Sequence, residues 1–569
     1  MDKKSYNLVT EPWIQVLDQA GDLKEVSLLD VFQNASNYQR LAGDMASQDL
    51  VILRLLIAIL TSVYSRVDVD NEAYDWVDLD EKMHIIEADE DDYDQADLMN
   101  TWRTLYKKKG FSDSVSQYLK KNIDKFDFFG DEPFYQVNKE VYDQEVPTNK
   151  KINIKDPKGT VDVKQINRTV SESNNSPAIF SPKTRNTKNK LTLAQLIRWI
   201  ITYQNFTGVT DKTKVNSKKK FSVSVGWLYG LSPVFAQGEN LFQTLMFNLV
   251  FSEVYKEEKL FWEFDDSIEY IEFLKKEPST QDLSISTLYT SWSRMLHIEW
   301  VDGNPIIFTA GLPKLDSTEA FTEPMTTWRE NKKTGDIYPA TKHLNDLSKA
   351  MWRNFGEYVR TSISDSKNAG RVHEPDVIKW LRKIHDNEDL PTDMSLTLQT
   401  TTLISDGNAT SQSPVAELND SFKIKADVLF DKDNKNYWPA DIENMIDLTQ
   451  QVGKDFWIFA NNISKLRGLD GSEFADNLTT KFYEGINIPF LNWLASLRND
   501  QERPEKLSEW EQTLKHIALL RAEEVLQNAS PRDIIGKENL DKKEEVTGIS
   551  NIFTIFNRYK LNVLRHIDQ

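Results

Sequence analysis

Apolar residues along this 569-residue chain change their spacing several times, and each change marks an element. Residues 6–17 alternate polar and apolar positions around Pro12, which predicts a short strand, a turn and a second strand. The run Val51-Ile-Leu-Arg-Leu-Leu-Ile-Ala-Ile-Leu60 is apolar on every side, the mark of a buried core helix over roughly 47–66. It is too short to span a bilayer and it carries Arg54. Leu193, Leu196, Ile197, Ile200 and Ile201 recur at helical spacing, predicting an amphipathic helix from Leu191 to Phe206. Another helix is expected to begin near Glu239, and residues 287–310 alternate like strands around the turn signal Asp302-Gly303. Residues 126–137 form an aromatic, turn-rich segment, and 138–190 are polar and lysine-rich, expected as hairpins and loops.

From about residue 438 the pattern turns helical. Ile442, Met445, Ile446, Val452, Phe456, Phe459 and Ile463 keep a spacing of three or four; so do Leu507, Trp510, Leu514 and Ile517, and again Ile549, Ile552, Phe553, Phe556, Val563 and Ile567. With the segment Ile488 to Leu497, this gives four helices, for which an antiparallel four-helix bundle is the economical packing. The expected fold class is therefore α+β: a large mixed domain over 1–430, then a C-terminal four-helix bundle over 438–569.

Composition sharpens this picture at two points. The chain has no cysteine, which removes disulfides, Cys-ligated zinc, iron–sulfur clusters and thiol nucleophiles together and fits a reducing cytoplasm. The opening Met1-Asp-Lys-Lys-Ser-Tyr has no apolar signal region behind its lysines, so a cytoplasmic protein without a membrane partner is expected. The formal net charge of −19 argues at first against nucleic acid, but the average hides a strong asymmetry. Residues 150–220 hold 16 Lys/Arg against 4 Asp/Glu, a local charge of +12, so the rest of the chain carries −31. Residues 67–97 alone hold 14 Asp/Glu against Lys82. Such separation is a sign of charge-directed interaction, although either run also reads as a solvated loop.

The search for catalytic chemistry returns little. His84, His297, His343, His373, His385, His516 and His566 are scattered and show no metal-binding spacing. There is no phosphate-binding glycine loop, nucleophile elbow or dinucleotide fingerprint. Asp89-Glu-Asp-Asp-Tyr-Asp94 has the acids of a calcium loop without its turn glycine or closing glutamate. No catalytic residue, metal or cofactor is expected. A glycosidase-like hydrolase with an unrecognised carboxylate pair, or an acidic interaction protein mimicking nucleic acid, stays open as an alternative.

Several segments, in order along the chain, resemble the large-subunit family of the type I-E CRISPR surveillance complex Cascade. They are Asn7-Leu-Val-Thr-Glu-Pro-Trp-Ile14, the helix Leu53 to Leu60, Glu132-Pro-Phe-Tyr-Gln136, Tyr289-Thr-Ser-Trp-Ser-Arg294, Glu323-Pro-Met-Thr-Thr-Trp328, Met351-Trp-Arg353 and Lys481-Phe-Tyr-Glu-Gly-Ile-Asn-Ile-Pro489. The resemblance implies a non-catalytic subunit that reads the short protospacer-adjacent motif in double-stranded target DNA and starts strand separation. It also implies three kinds of partner: the other Cascade subunits, the guide RNA and a separate helicase–nuclease. Guide pairing would read the rest of the sequence.

The resemblance also implies where contacts lie. The family reads its motif from the minor groove with a glycine-rich loop, a cation and a glutamine wedge. The loop position falls after Phe206, where this chain departs from the glycine-rich pattern: Gly208, Gly226 and Gly230 are separated by Lys212, Lys214, Lys218, Lys219 and Lys220. Lysines there suit phosphates, and glycines admit close backbone approach. The cation position matches Arg294, whose guanidinium suits a narrow groove. The wedge position matches Gln412, flanked by Ser411 and Asn408 on the turn before Pro414.

Overall fold

The computed structural model describes residues 5–567, apart from 154, 156, 171, 173–182, 185, 209–211, 224, 348, 360–371, 406–413, 433–436 and 541–545. The chain forms two compact units. One comprises Met1–Leu347, Gly370–Ile384 and Leu398–Asp420; the other comprises Ser348–Ala369, His385–Thr397 and Ser421–Gln569.

The first unit begins with β1 (Ile14–Asp18), whose alternating burial lets β2 (Leu23–Val26) and β3 (Tyr38–Leu41) pair antiparallel on either side. Residues 6–9, expected as a strand, instead form a turn, with Asn7 making a lone antiparallel bridge to Asp127. Pro12 and the buried Trp13, whose indole donates to the Leu8 carbonyl, close that turn before a ladder can grow. Helix α1 (Ala46–Tyr64) runs through the core; apart from Ala46 and Asp49, every residue on it is buried. By length and composition this helix is apolar enough to cross a membrane, but 89% of the relevant window is covered by the protein itself. Each buried leucine on it stabilises the fold by about 2 kcal/mol.

The acidic run folds into the hairpin β4 (Val77–Leu79) and β5 (Ile85–Ala88), and its carboxylates serve the backbone. Asp68 accepts from the amides of Asp70 and Glu72, Asp80 from those of Lys82 and His84, and Asp94 from that of Ala96 at a helix start. These are Asx turns and caps, which satisfy amides no regular ladder reaches.

Helix α2 (Leu193–Phe206) opens on a capping box, Thr192 with Gln195, and is buried on nearly every side past its first turn. Strand β6 (Val234–Gln237) and helix α3 (Leu241–Asn248) follow it. The hairpin of β7 (Arg294–Val301) and β8 (Asn304–Gly311) turns at Asp302-Gly303, both at positive φ, as the sequence pattern requires. Residues 285–289, which overlap the start of the expected strand region, are a short helix capped by Ser284. Helices also occur at Lys139–Glu145 and Val163–Ile166, within the segment expected as hairpins and loops. Two long strands, β9 (Ser395–Ser405) and β10 (Pro414–Lys425), form a sheet with β6 in the order β10-β9-β6.

The second unit is dominated by α4 (Trp438–Arg467), α5 (Glu473–Ser496), α6 (Arg503–Gln527) and α7 (Ile552–Ile567), packed together as a bundle. Helix α4 stops at Gly468, whose φ of +68° suits the left-handed cap. Phe456 stacks on Phe482 with ring centroids 4.9 Å apart, and Tyr559 of α7 packs edge-on to Phe456. Trp510 donates its indole N–H to Thr449 at 3.0 Å, so this buried ring keeps no orphan donor. Between α6 and α7 the chain inserts a one-turn helix, Pro531–Ile535, and the hairpin β11 (Lys537–Leu540) and β12 (Val546–Ser550). Arg467 holds the buried Asp533 of that helix at 2.8 Å and, with the Ser530 cap, keeps its carboxyl below the usual range against the cost of burial.

Candidate nucleic-acid interface

The segment joining α2 to β6, residues 207–231, carries the last five lysines of the basic run, and its two ends are built into the core. At the near end, the Thr207 amide continues the α2 ladder to the Tyr203 carbonyl. The Gly208 carbonyl accepts from the Thr207 hydroxyl at 2.9 Å and from Arg294 Nη2 at 3.1 Å. At the far end, the Gly226 amide donates to the Thr207 carbonyl at 2.8 Å and the Leu228 amide to that of Asn205 at 2.9 Å. A Cβ on Gly226 would sit 2.2 Å from the Asn205 carbonyl carbon and oxygen, so only glycine admits this approach.

Between those ends the segment lies along the exit of β8. Gly311 donates to the Thr213 carbonyl at 2.9 Å and accepts from Val215 at 3.1 Å. Val223 bridges Pro313, and the Lys314 amide donates to the Ser222 carbonyl. Lys212, Lys214, Lys218, Lys219 and Lys220 are all exposed on this scaffold. Lys214 Nζ reaches the Phe221 carbonyl at 3.0 Å; Ser217 accepts from the Lys219 amide and so turns the tip. A cavity of about 160 Å³ opens at the foot of the segment, walled by Trp227, Tyr229 and Trp292, with Lys314 and Ser317 at its side.

The far end is also tied to a buried ion pair. Arg54 of α1 makes a two-pronged bond to Glu323 at 2.9 and 2.7 Å, both side chains fully buried, with the guanidinium 3.6 Å from the Tyr289 ring centroid. Burial lowers the guanidinium's pKa and the adjacent Glu323 carboxylate more than offsets it, so Arg54 stays charged. The same carboxylate accepts from the Trp227 indole at 2.7 Å and from the Met325 amide at 3.1 Å. Three of the segments singled out in the sequence thus converge on one carboxylate.

Two expectations need correction here. Arg294 is fully buried, so its guanidinium does not present itself to a groove; it stands behind the segment and holds the Gly208 carbonyl. Its own backbone is gripped by Gln204, which accepts from the Ser293 and Arg294 amides and donates to the Arg294 carbonyl at 2.9 Å. Gly208 is likewise buried with its carbonyl occupied, so it is an anchor and not a point of approach. Asn408, Ser411 and Gln412 lie outside the described residues. The strand after them is fixed: Glu417 of β10 accepts from the Ser47 amide at 2.7 Å, at the start of α1 where Met45 supplies no side-chain cap.

Sequence reasoning missed Gln204, Thr207, Trp227 and Gly311. Gln204 and Asn205 did carry a signal, being polar residues on an apolar helix, and Trp227 stands between Gly226 and Gly230 in a short aromatic cluster. Two buried carboxylates elsewhere among the described residues have structural partners. Glu263 holds Arg66 and accepts from Tyr118, and Glu258 accepts from the Ser286 amide.

A mixed α+β body and a C-terminal helical bundle are the fold of solved Cse1 structures. Cse1 of Thermobifida fusca shares it over 99% of this chain and 98% of its own, with a TM-score of 0.73 at 19% identity. A chain of a CRISPR RNA-guided surveillance complex shares it over 98% and 99%, with a TM-score of 0.63 at 14% identity. The CRISPR-associated protein CasA/Cse1 of Thermus thermophilus is 26% identical over 251 residues, 43% of this chain and 40% of that relative's length. The model of the CRISPR-associated protein Cse1 family matches residues 7–520, and the chain belongs to that family.

Proposed function

We propose that this chain is the large subunit of a CRISPR RNA-guided surveillance complex, itself without catalysis. In this reading it recognises a short motif in duplex DNA, starts strand separation and gives a helicase–nuclease its docking surface. The observation that carries the proposal is the braced basic segment: five exposed lysines on a scaffold fixed at both ends, in a chain whose remainder is strongly acidic. Exposed lysines neutralise phosphates and release counterions, which gives affinity without sequence information. A rigid foot holds that charge at one register along the duplex, which motif reading requires. The acidic remainder repels DNA, so binding is confined to this face and depends on the partners that position it.

The test is binding of the reconstituted complex, with guide RNA, to a library of duplexes carrying randomised motifs. Reversing the charge of Lys218, Lys219 and Lys220 is expected to weaken binding to every member and to lower the slope of log affinity against log salt by about 3. Unchanged binding and slope would remove the segment from the DNA interface.

A further inference from the structure

Arg294 occupies an unusual position for a charged side chain. It is fully buried, it has no carboxylate partner among the described residues, and its Nε and Nη1 atoms meet no hydrogen-bond acceptor there. Burying an arginine without a carboxylate is costly, so the one bond it keeps has to offset that cost. That remaining bond goes to the Gly208 carbonyl, the first peptide of the basic segment.

The surroundings are arranged around this bond. Gln204 clamps the Arg294 backbone to the last turn of α2 on both its amide and carbonyl sides, so the arginine is fixed relative to Thr207 and Gly208. Gly311 leaves room for it: a Cβ there would stand 2.8 Å from Arg294 Nη1 and 2.5 Å from Val223 Cγ1. Gly311 also carries the Thr213 and Val215 hydrogen bonds, so one position touches both the arginine and the middle of the segment. Thr207 supplies the second donor to the same Gly208 carbonyl.

From these contacts we infer that Arg294 is a positioning residue for the basic segment: it sets the path of Gly208 and residues 212–223 from behind, and motif discrimination depends on it without any contact between its guanidinium and DNA. The inference rests on the proposed function for its DNA readout only, because the conformation of the segment can be read without DNA.

Two measurements test it. In the free protein, trypsin cleavage after Lys218, Lys219 and Lys220 reports the segment's path; Arg294→Met is expected to speed it roughly tenfold and Arg294→Lys, which keeps a donor, to restore most of the protection. In the reconstituted complex, Arg294→Met is expected to shrink the affinity ratio between motif-bearing and motif-less duplexes about tenfold. The salt slope should stay at the wild-type value, whereas loss of a phosphate contact would lower it by about 1. Should Arg294→Met fail to enter the complex, Thr207→Val carries the test by removing the other donor to the Gly208 carbonyl, with an expected loss in the ratio of about threefold. Unchanged proteolysis and an unchanged ratio would overturn the inference, and a lowered slope would replace it by direct contact. A wild-type complex with no motif preference would instead defeat the proposed function, leaving the proteolysis result to decide the positioning role.

Discussion

At the scale of single residues, the chain repeatedly buries polar groups and gives many of them a task. Asp49 shows the cost. Desolvation pushes its carboxyl up to about 7, with Glu417 adding to the rise, while the Gly43 amide at 2.7 Å and the charges of Arg40 and Arg198 pull against it. A carboxyl raised in the folded state holds its proton more tightly there than in the unfolded chain, where its pKa is about 4. Stability from this group is therefore complete below about pH 4 and is lost as pH rises through about 7. Asp49→Asn keeps an acceptor for Gly43 and cannot ionise. It is expected to melt about 2 °C above the wild type at pH 8 and level with it near pH 4, as thermal scans across that range will show. Parallel curves for the two proteins would mean that Asp49 is not the titrating group.

The elements show which local signals suffice. Helix α1 is legible because ten successive residues leave it no polar face, and the β7–β8 hairpin because Asp302-Gly303 fits one turn type. Three of the four long helices of the second unit are legible from spacing; the fourth, α5, was placed only from Ile488 to Leu497, at its C-terminal end. The hairpin of β11 and β12 was not, because Lys537 to Ser550 lacks the apolar alternation that marks a half-buried strand pair. Short helices such as Lys139–Glu145 also escaped, since seven residues rest on the Asn138 cap and tertiary contacts instead of periodicity. One junction between elements is open to measurement. Glu417 of β10 caps α1, whose own N-cap residue offers no acceptor, so Glu417→Ala is expected to cost about 1 kcal/mol in chemical denaturation. Glu417→Gln, which keeps an acceptor, should cost less than half of that; equal losses would assign the effect to charge and not to capping.

At the scale of the whole molecule, fold class and the position of the basic segment could be read from the sequence, but its construction could not. Spacing identifies Lys212 to Lys220 as a charged run; it says nothing of Gly311, nearly 100 residues later, which holds that run against β8. Arg294 was misplaced for the same reason: the resemblance set it at the cation position, and its neighbours in space are not written in the sequence. The node at Glu323 carries this furthest. One carboxylate joins the central helix, through Arg54, to the foot of the basic segment, through Trp227. The foot is therefore expected to open only when the core does. In native-state hydrogen exchange, the Gly226 and Leu228 amides should trade their protons at the rate of global unfolding, while those of Lys218 and Lys220 exchange almost as in a free peptide. A single connection would then hold two clocks, one slow and one fast, a few residues apart.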